Sequence, residues 1–442
     1  MSCYFDFIAF IKRRLLYPKV CGPSGHAEFA IAYKKNAMET DKFYLAHIVF
    51  LVFGIMHLLP VSFFVTANDY WMYKFRNTTS DNTDPNYRSI LQSNFASGTN
   101  VAQSVPTVIC MVLAVVFAYK IKVKIRILTS LYVLATCFVV STVFIKSDTD
   151  GWQTGFFALT MAILAVMNGI LALFQVSSLA LLAKFPPIYM KTFLTGQGIG
   201  GIFCSALQVL ALVIGTSSEA AALIYFLCGT ILTTATLMLY HFIQQQGFYR
   251  SVTGTSIEDT KKDLITLSEV KEISSKIWTS LVIVTAGALA YVPTHPSVAA
   301  LVVSEYKTDF TKKYFAAVVT FLFSDICCLI GRGLATATNK RPRPSVLALL
   351  SVVRMVIFVP LFIFCNALPR KHLHVLFPHD WQYVLILGSF MISSGYFFNV
   401  AFLNVIKLAP EEEENAYLIM QTVIGITGAV FSPLGVLCVN LL

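Results

Sequence analysis

Apolar stretches of about twenty residues or more recur along this chain, separated by short polar segments, and they restrict its fold more than any other feature. A helix needs about 20 apolar residues to cross roughly 30 Å of hydrocarbon, so each stretch reads as a transmembrane helix. Eleven are counted, near 43–67, 89–118, 127–145, 152–183, 188–214, 220–243, 277–304, 314–338, 345–367, 381–406 and 416–442. Only 13% of the residues are charged, against about a quarter in a typical soluble protein. The expected fold class is an all-α polytopic membrane protein.

Charge sets the expected orientation. The clusters Lys34-Lys35, Lys120 through Arg126 and Lys340-Arg341 fall in alternate connections, which the positive-inside rule places in the cytoplasm. The N-terminus is then inside and, with an odd number of spans, the C-terminus outside. Asn77-Thr78-Thr79 is an N-glycosylation sequon in a loop that this topology places outside. The polar segment 244–276 separates six spans from five. The expected organisation is a cytoplasmic tail over 1–42, a six-helix bundle over 43–243, a cytoplasmic linker over 244–276 and a five-helix bundle over 277–442. Within the linker, Ser256 has an acid-directed phosphorylation context, although a plain solvated linker is the commoner role.

Several function classes are excluded or demoted. The net charge of +10 is spread over loops rather than gathered in a patch, so no nucleic-acid partner is expected. The apolar run at 4–11 precedes Lys12, Arg13 and Arg14, the reverse of a secretory signal. The cysteines lie in spans or before the first one, and form no disulfide framework. Gly196 through Gly201 fits GxGxxG but lies inside a span with no strand before it; Gly196, Gly198 and Gly200 read instead as close-packing positions. His372, His374 and His379 lack a ligand set for a metal. No enzyme motif, cofactor or metal site is expected.

Polar residues inside spans carry the functional signal. A charge at a helix centre costs roughly 2.5–3.5 kcal/mol on insertion scales and needs a partner or a wet cavity. Asp325 and Arg332 share one span, and at about 100° per residue their spacing returns to the same face, roughly 10 Å along the axis. Phe321 and Cys328 share that stripe. Such a gap suits two groups that hold one polar solute between them. Asn168, Gln175 and Ser177 interrupt the fourth span, and an amide offers the donor and acceptor that a nucleobase edge requires. His57 and His295 lie in or near spans, where packing is the commoner role.

These residues fall into a recognisable series. The run Leu58-Leu59-Pro60-Val61-Ser62-Phe63-Phe64-Val65-Thr66-Ala67 is similar to the LLPWNFF-x-TA of the equilibrative nucleoside transporters. Asn168, Gln175 and Ser177 resemble that family's fourth-span pattern, Gly196-Gln197-Gly198 its GQG, and Gly331-Arg332 its eighth-span Gly-Arg. Pro360 with Cys365-Asn366 and Ser394-Gly395-Tyr396 resemble its ninth and tenth spans. The likeness runs from about residue 43 to the C-terminus.

The resemblance implies a major-facilitator-like fold and facilitative nucleoside transport by alternating access, without an ion gradient. It implies that Gln175 reads the base and Ser177 lies near it. Arg332 with Asp325 would hold the ribose, with Leu58, Val61, Val65 and Phe321 as apolar walls and Cys328 among the substrate-binding residues. Adenosine, uridine and similar nucleosides are the implied partners, the lipid bilayer the surroundings and the plasma membrane the location. Val61-Ser62 replaces the family's Trp-Asn, and Asp325, Cys328, Arg332 replaces its Asn, Asp, Arg, so the carboxylate has moved by one turn. A carboxylate placed there also allows proton coupling at Asp325 or transport of organic cations. A non-transporting receptor or scaffold is the rival of another class; the short outer loops give it little surface.

Overall fold

The apolar runs are helical in the computed structural model, and several of their interruptions fall where proline removes a backbone donor. The structure describes residues 41, 44–76, 89–117, 121–215, 217–254, 265–338, 342–368, 370 and 372–442. Asn77, Ser256 and nearly all of the N-terminal tail lie outside them. By its internal contacts the chain divides into Met1–Phe43 and Tyr44–Leu442, and the described helices all belong to the second unit.

The first span is broken. Helix α1 (Leu45–Met56) stops at His57 and α2 (Leu59–Thr66) begins one residue before Pro60. Pro60 has no N–H to give the Met56 carbonyl, so the helical ladder cannot run through. A short α3 (Asn68–Lys74) follows, then α4 (Ile90–Phe117), α5 (Val123–Ile145), α6 (Gln153–Leu182), α7 (Pro187–Ile214) and α8 (Ser218–Ile243). Helix α9 (Gly247–Gly254) opens the polar segment and α10 (Leu267–Lys276) closes it. Thr266 and Glu269 form a reciprocal capping box at the start of α10.

Helix α11 (Trp278–Pro293) leaves α10 at an angle of 84°. Hydropathy predicts one helix for the seventh apolar run; instead Pro293 ends it, and His295 takes extended backbone angles before a short turn at Ala299–Leu301. The eighth run is also composite. It starts as α12 (Asp309–Phe315), widens into a π-helix over Ala316–Phe323 and continues as α13 (Ser324–Ala337). Helices α14 (Pro344–Ile363), α15 (Asp380–Leu408), α16 (Glu413–Phe431) and α17 (Pro433–Leu441) complete the chain, the last two meeting at 41°.

Among the described residues, eight helical segments are long and apolar enough to cross a membrane, or ten if each bent pair counts as one. Helix α4 has a shorter apolar core, Gly98–Ala114.

Packing falls into two groups. In the first, α1 lies along α7, α4 along α6, and α5 against α6 and α8; in the second, α13 lies along α15 and α11 packs on α14, α15 and α16. Two seams join the groups: α7 against α13, and α4 with α6 against α16. Glycine permits the tightest crossings. A Cβ added at Gly196 would overlap the Leu51 carbonyl oxygen, and one at Gly331 the Ile392 carbonyl oxygen.

The polar segment marks one end of the molecule, the linker end. There Phe185, between α6 and α7, packs on Phe248 and Tyr249 of α9, and Lys276 of α10 pairs with Glu412 at 2.7 Å, just before α16.

Candidate functional site

The two charges of α13 occupy different surroundings. Asp325 lies against Gly201 of α7, where a β-carbon would come within 2.9 Å of its Oδ1, and the Ser205 hydroxyl, one turn further on, interacts with it. Asp325 is half-buried and has no ion-pair partner among the described residues. Glycine at position 201 leaves room for this approach, and the carboxylate lies at the seam between the two groups.

Arg332, two turns along, is buried to 7% exposure. Its Nη1 donates to the Leu194 carbonyl at 3.1 Å, to Gln197 Oε1 at 2.9 Å and to Asn399 Oδ1 at 3.2 Å. The Asn399 amide returns a bond to the Arg332 carbonyl at 3.2 Å, and the guanidinium lies 4.8 Å from the centre of the Phe398 ring. Its Nε has no partner among the described residues. The shared face read from the sequence is present on α13, but the two charges do not pair with each other; Arg332 instead ties α13 to α7 and α15.

Gln175 is the corresponding feature of the other seam. Its Nε2 donates to the His57 carbonyl at 2.8 Å, at the break between α1 and α2. Its Oε1 accepts from Gln421 Nε2 of α16 at 3.0 Å. Ser177 is fully buried and donates to the Leu173 carbonyl of its own helix, and Asn168 likewise to Leu164, so neither aims its donor at the seam.

The apolar positions diverge too. Leu58 and Val65 are exposed at 45% and 49%, and Val61 is half-buried, so one face of the broken first span is left uncovered. Phe321 belongs to the π-helical turn and meets the His295 ring edge-on at 5.8 Å. Cys328 is half-buried, with Gly395 of α15 packed on its carbonyl. Gly196 and Gly200 meet the backbone of α1, whereas Gly198 meets Leu329 and Arg332 of α13. A largely apolar groove of about 690 Å³ between α4 and α6, lined by residues such as Val105, Pro106, Phe157 and Met161, offers little to a polar solute.

Two side chains, Gln421 and Asn399, escape sequence reasoning, and two more, Gln197 and His295, enter it only as part of the GQG run and as packing. Gln421, Asn399 and Gln197 hold Gln175 and Arg332, and each is a lone amide in an apolar run; that was the available signal. The fourth is His295, whose Nδ1 lies 3.0 Å from the Tyr291 hydroxyl and whose Nε2 lies 3.1 Å from the Thr320 carbonyl, with Thr320 in turn 2.9 Å from the Tyr383 hydroxyl. It belongs to a buried polar chain behind Phe321 rather than to simple packing.

Solved structures with similar architecture are transporters. The E. coli fucose:proton symporter superposes with a TM-score of 0.52 at 13% identity, over 88% of this chain and 90% of that one. The human organic anion transporter does so with 0.56 at 12% identity, over 90% and 93%. At such identities the likeness concerns the fold, which is major-facilitator-like.

Sequence relatives are nearer. The chain is 30% identical to equilibrative nucleoside transporter 3 of Rattus norvegicus over 84% of each protein. It is 27% identical to equilibrative nucleoside transporter 1 of Homo sapiens, over 89% of this chain and 97% of that protein. The family profile described as nucleoside transporter matches residues 161–272 and 250–436. These segments hold Gln175, Asp325, Arg332 and the amides that tie them across the seams, and the chain belongs to the nucleoside transporter family.

Proposed function

We propose that this protein carries nucleosides across a membrane by alternating access, down their gradient and without a coupled ion. The observation that carries the reading is the placement of Asp325: a carboxylate inside a span, at the seam between two helix groups, with no cation paired to it among the described residues. A ribose offers the hydroxyl donors that such an acceptor needs, and charge-assisted bonds of this kind are about twice as strong as neutral ones. Gln175 at the other seam recognises the base, and the uncovered face at Leu58, Val61 and Val65 provides an apolar wall. Arg332 comes into reach of the solute when the groups move and its bond to Gln197 breaks.

The two groups of helices are the moving bodies, six spans over 43–243 and five over 277–442, with the linker end in the cytoplasm. Asn77 is then outside and open to glycosylation. The plasma membrane is the proposed location, and adenosine and uridine are the proposed substrates.

The test is uptake of labelled adenosine by proteoliposomes with no ion gradient imposed. Saturable uptake, accelerated by unlabelled nucleoside inside, supports the reading; uptake equal to empty liposomes sinks it. The same carboxylate, with no cation paired to it among the described residues, favours one second reading, in which Asp325 carries a proton with the nucleoside. An inward proton gradient would then accumulate adenosine above equilibrium, and Asp325→Asn would abolish that accumulation.

A further inference from the structure

The amide assigned to base recognition is already in use. Gln175 donates to the His57 carbonyl, and its own oxygen accepts from Gln421, a residue of the other helix group that is only 5% exposed. The first bond exists because of the break before Pro60, which leaves the His57 carbonyl outside both α1 and α2. The second crosses the seam. Gln175 lies seven residues before the last residue of α6, and Gln421 eight after the first of α16, so the bond sits roughly 10–12 Å from the linker end.

The other seam is tied at a similar depth. Gln197 accepts from Arg332 ten residues into α7, and nearer the linker end Lys191 Nζ donates to the Thr336 carbonyl at 3.3 Å. The linker-proximal halves of both seams are therefore joined by polar bonds in this conformation. Opening that end must separate α6 from α16, which breaks the Gln175–Gln421 bond and leaves the buried Gln421 and the half-buried Gln175 without it. A buried amide left without a partner is costly, so separation is favoured when something replaces the lost donor.

We infer that the Gln175–Gln421 bond is a latch holding the linker end shut, released when an N–H donor of the nucleobase takes the place of Gln421 on the Gln175 oxygen. The inference rests on the reading of Gln175 as the base-recognising amide. Gln421 is a positioning residue in this scheme: it touches Gln175 and not the substrate. The class of ligand that opens the latch is a base carrying an exocyclic amino or ring N–H group. A ribose alone does not open it.

The experiment compares wild type with Gln421→Leu, Gln421→Met and Gln175→Leu in hydrogen exchange and in adenosine binding. Adenosine is expected to raise exchange at the linker ends of α6 and α16 in wild type. The two Gln421 variants are expected to show that raised exchange without ligand and to bind adenosine about fivefold more tightly, since one net hydrogen bond no longer opposes opening. Gln175→Leu is expected to raise exchange and to weaken binding. Exchange in folded Gln421→Met equal to that of wild type overturns the latch, and a loss of affinity in Gln175→Leu would then leave base recognition standing. The reverse pattern, raised exchange in the Gln421 variants with unaltered adenosine affinity in Gln175→Leu, overturns base recognition at Gln175 and, with it, the release of the latch by a base.

Discussion

Asp325 and Arg332 share one face of α13 and are not partners: the carboxylate rests on Gly201 of α7, while the guanidinium is held by Leu194, Gln197 and Asn399. A direct ion pair within the span would cancel both charges and leave neither for a solute. Separation keeps the carboxylate available at the seam while the cation fastens three helices. The two residues therefore call for different tests.

Asp325→Asn is expected to fold normally, because no ion pair is lost, and to reduce adenosine transport by about 10- to 100-fold, the range for losing a hydrogen bond to a charged group. A nucleoside lacking the 2′ and 3′ hydroxyls should feel the substitution much less. Uptake of adenosine and its dideoxy analogue by the two proteins checks this; equal losses for both solutes would remove Asp325 from ribose recognition.

Arg332→Lys should act first on stability. A lysine side chain ends one atom short of Nη1, the nitrogen that serves Leu194, Gln197 and Asn399, and lacks the flat guanidinium that lies over Phe398, so buried acceptors lose their donor. The expected cost is about 1–3 kcal/mol, read as a lowered Tm in detergent, with Gln197→Leu showing a smaller drop in the same direction.

Gly196→Ala and Gly331→Ala are expected to prevent assembly. In each case the added methyl meets a carbonyl oxygen of a neighbouring helix, at Leu51 and at Ile392, and backbone cannot swing aside as a side chain does. Gly333, where an added Cβ meets nothing, is the control: Gly333→Ala should express like wild type. Yield of monodisperse protein distinguishes the three.

A pH effect is expected at the loop end opposite the linker. The His379 imidazole, 2.8 Å from Glu305, holds that carboxyl below its ordinary value of 4.5. A carboxyl lowered on folding stabilises above the unfolded value, and that contribution is lost as pH falls through the folded one. Exchange protection of residues 302–308 should thus be level from neutral pH down to about 5 and fall below 4.5. Glu305→Gln should remove the step; a step unchanged in that variant would assign it elsewhere.

Hydropathy located the helices well because the bilayer imposes a length on each one. It did not show where they bend. Pro60 and Pro293 are visible in the sequence, but the π-helical turn at 316–323 carries no proline and packs against α7. The cost of an intramembrane charge picked out Asp325 and Arg332 without a structure. Their partners were not legible, since Gln197, Asn399 and Gln421 come from other helices and a single amide in an apolar run has no address. Ser177 shows the converse: its position matches the family pattern, and its hydroxyl donates within its own helix.

The glycine crossings bear on how such a molecule can move. With Gly196 of α7 against the Leu51 carbonyl and Gly331 of α13 against that of Ile392, each group has a pair of helices interlocked backbone to backbone, like teeth with no play between them. Sliding of one such helix past its neighbour would have to climb over a peptide group at every step. In the proposed transport cycle, the motion expected from these contacts is rotation of each group as a block, with the deformation at the seams where the polar bonds are made and broken.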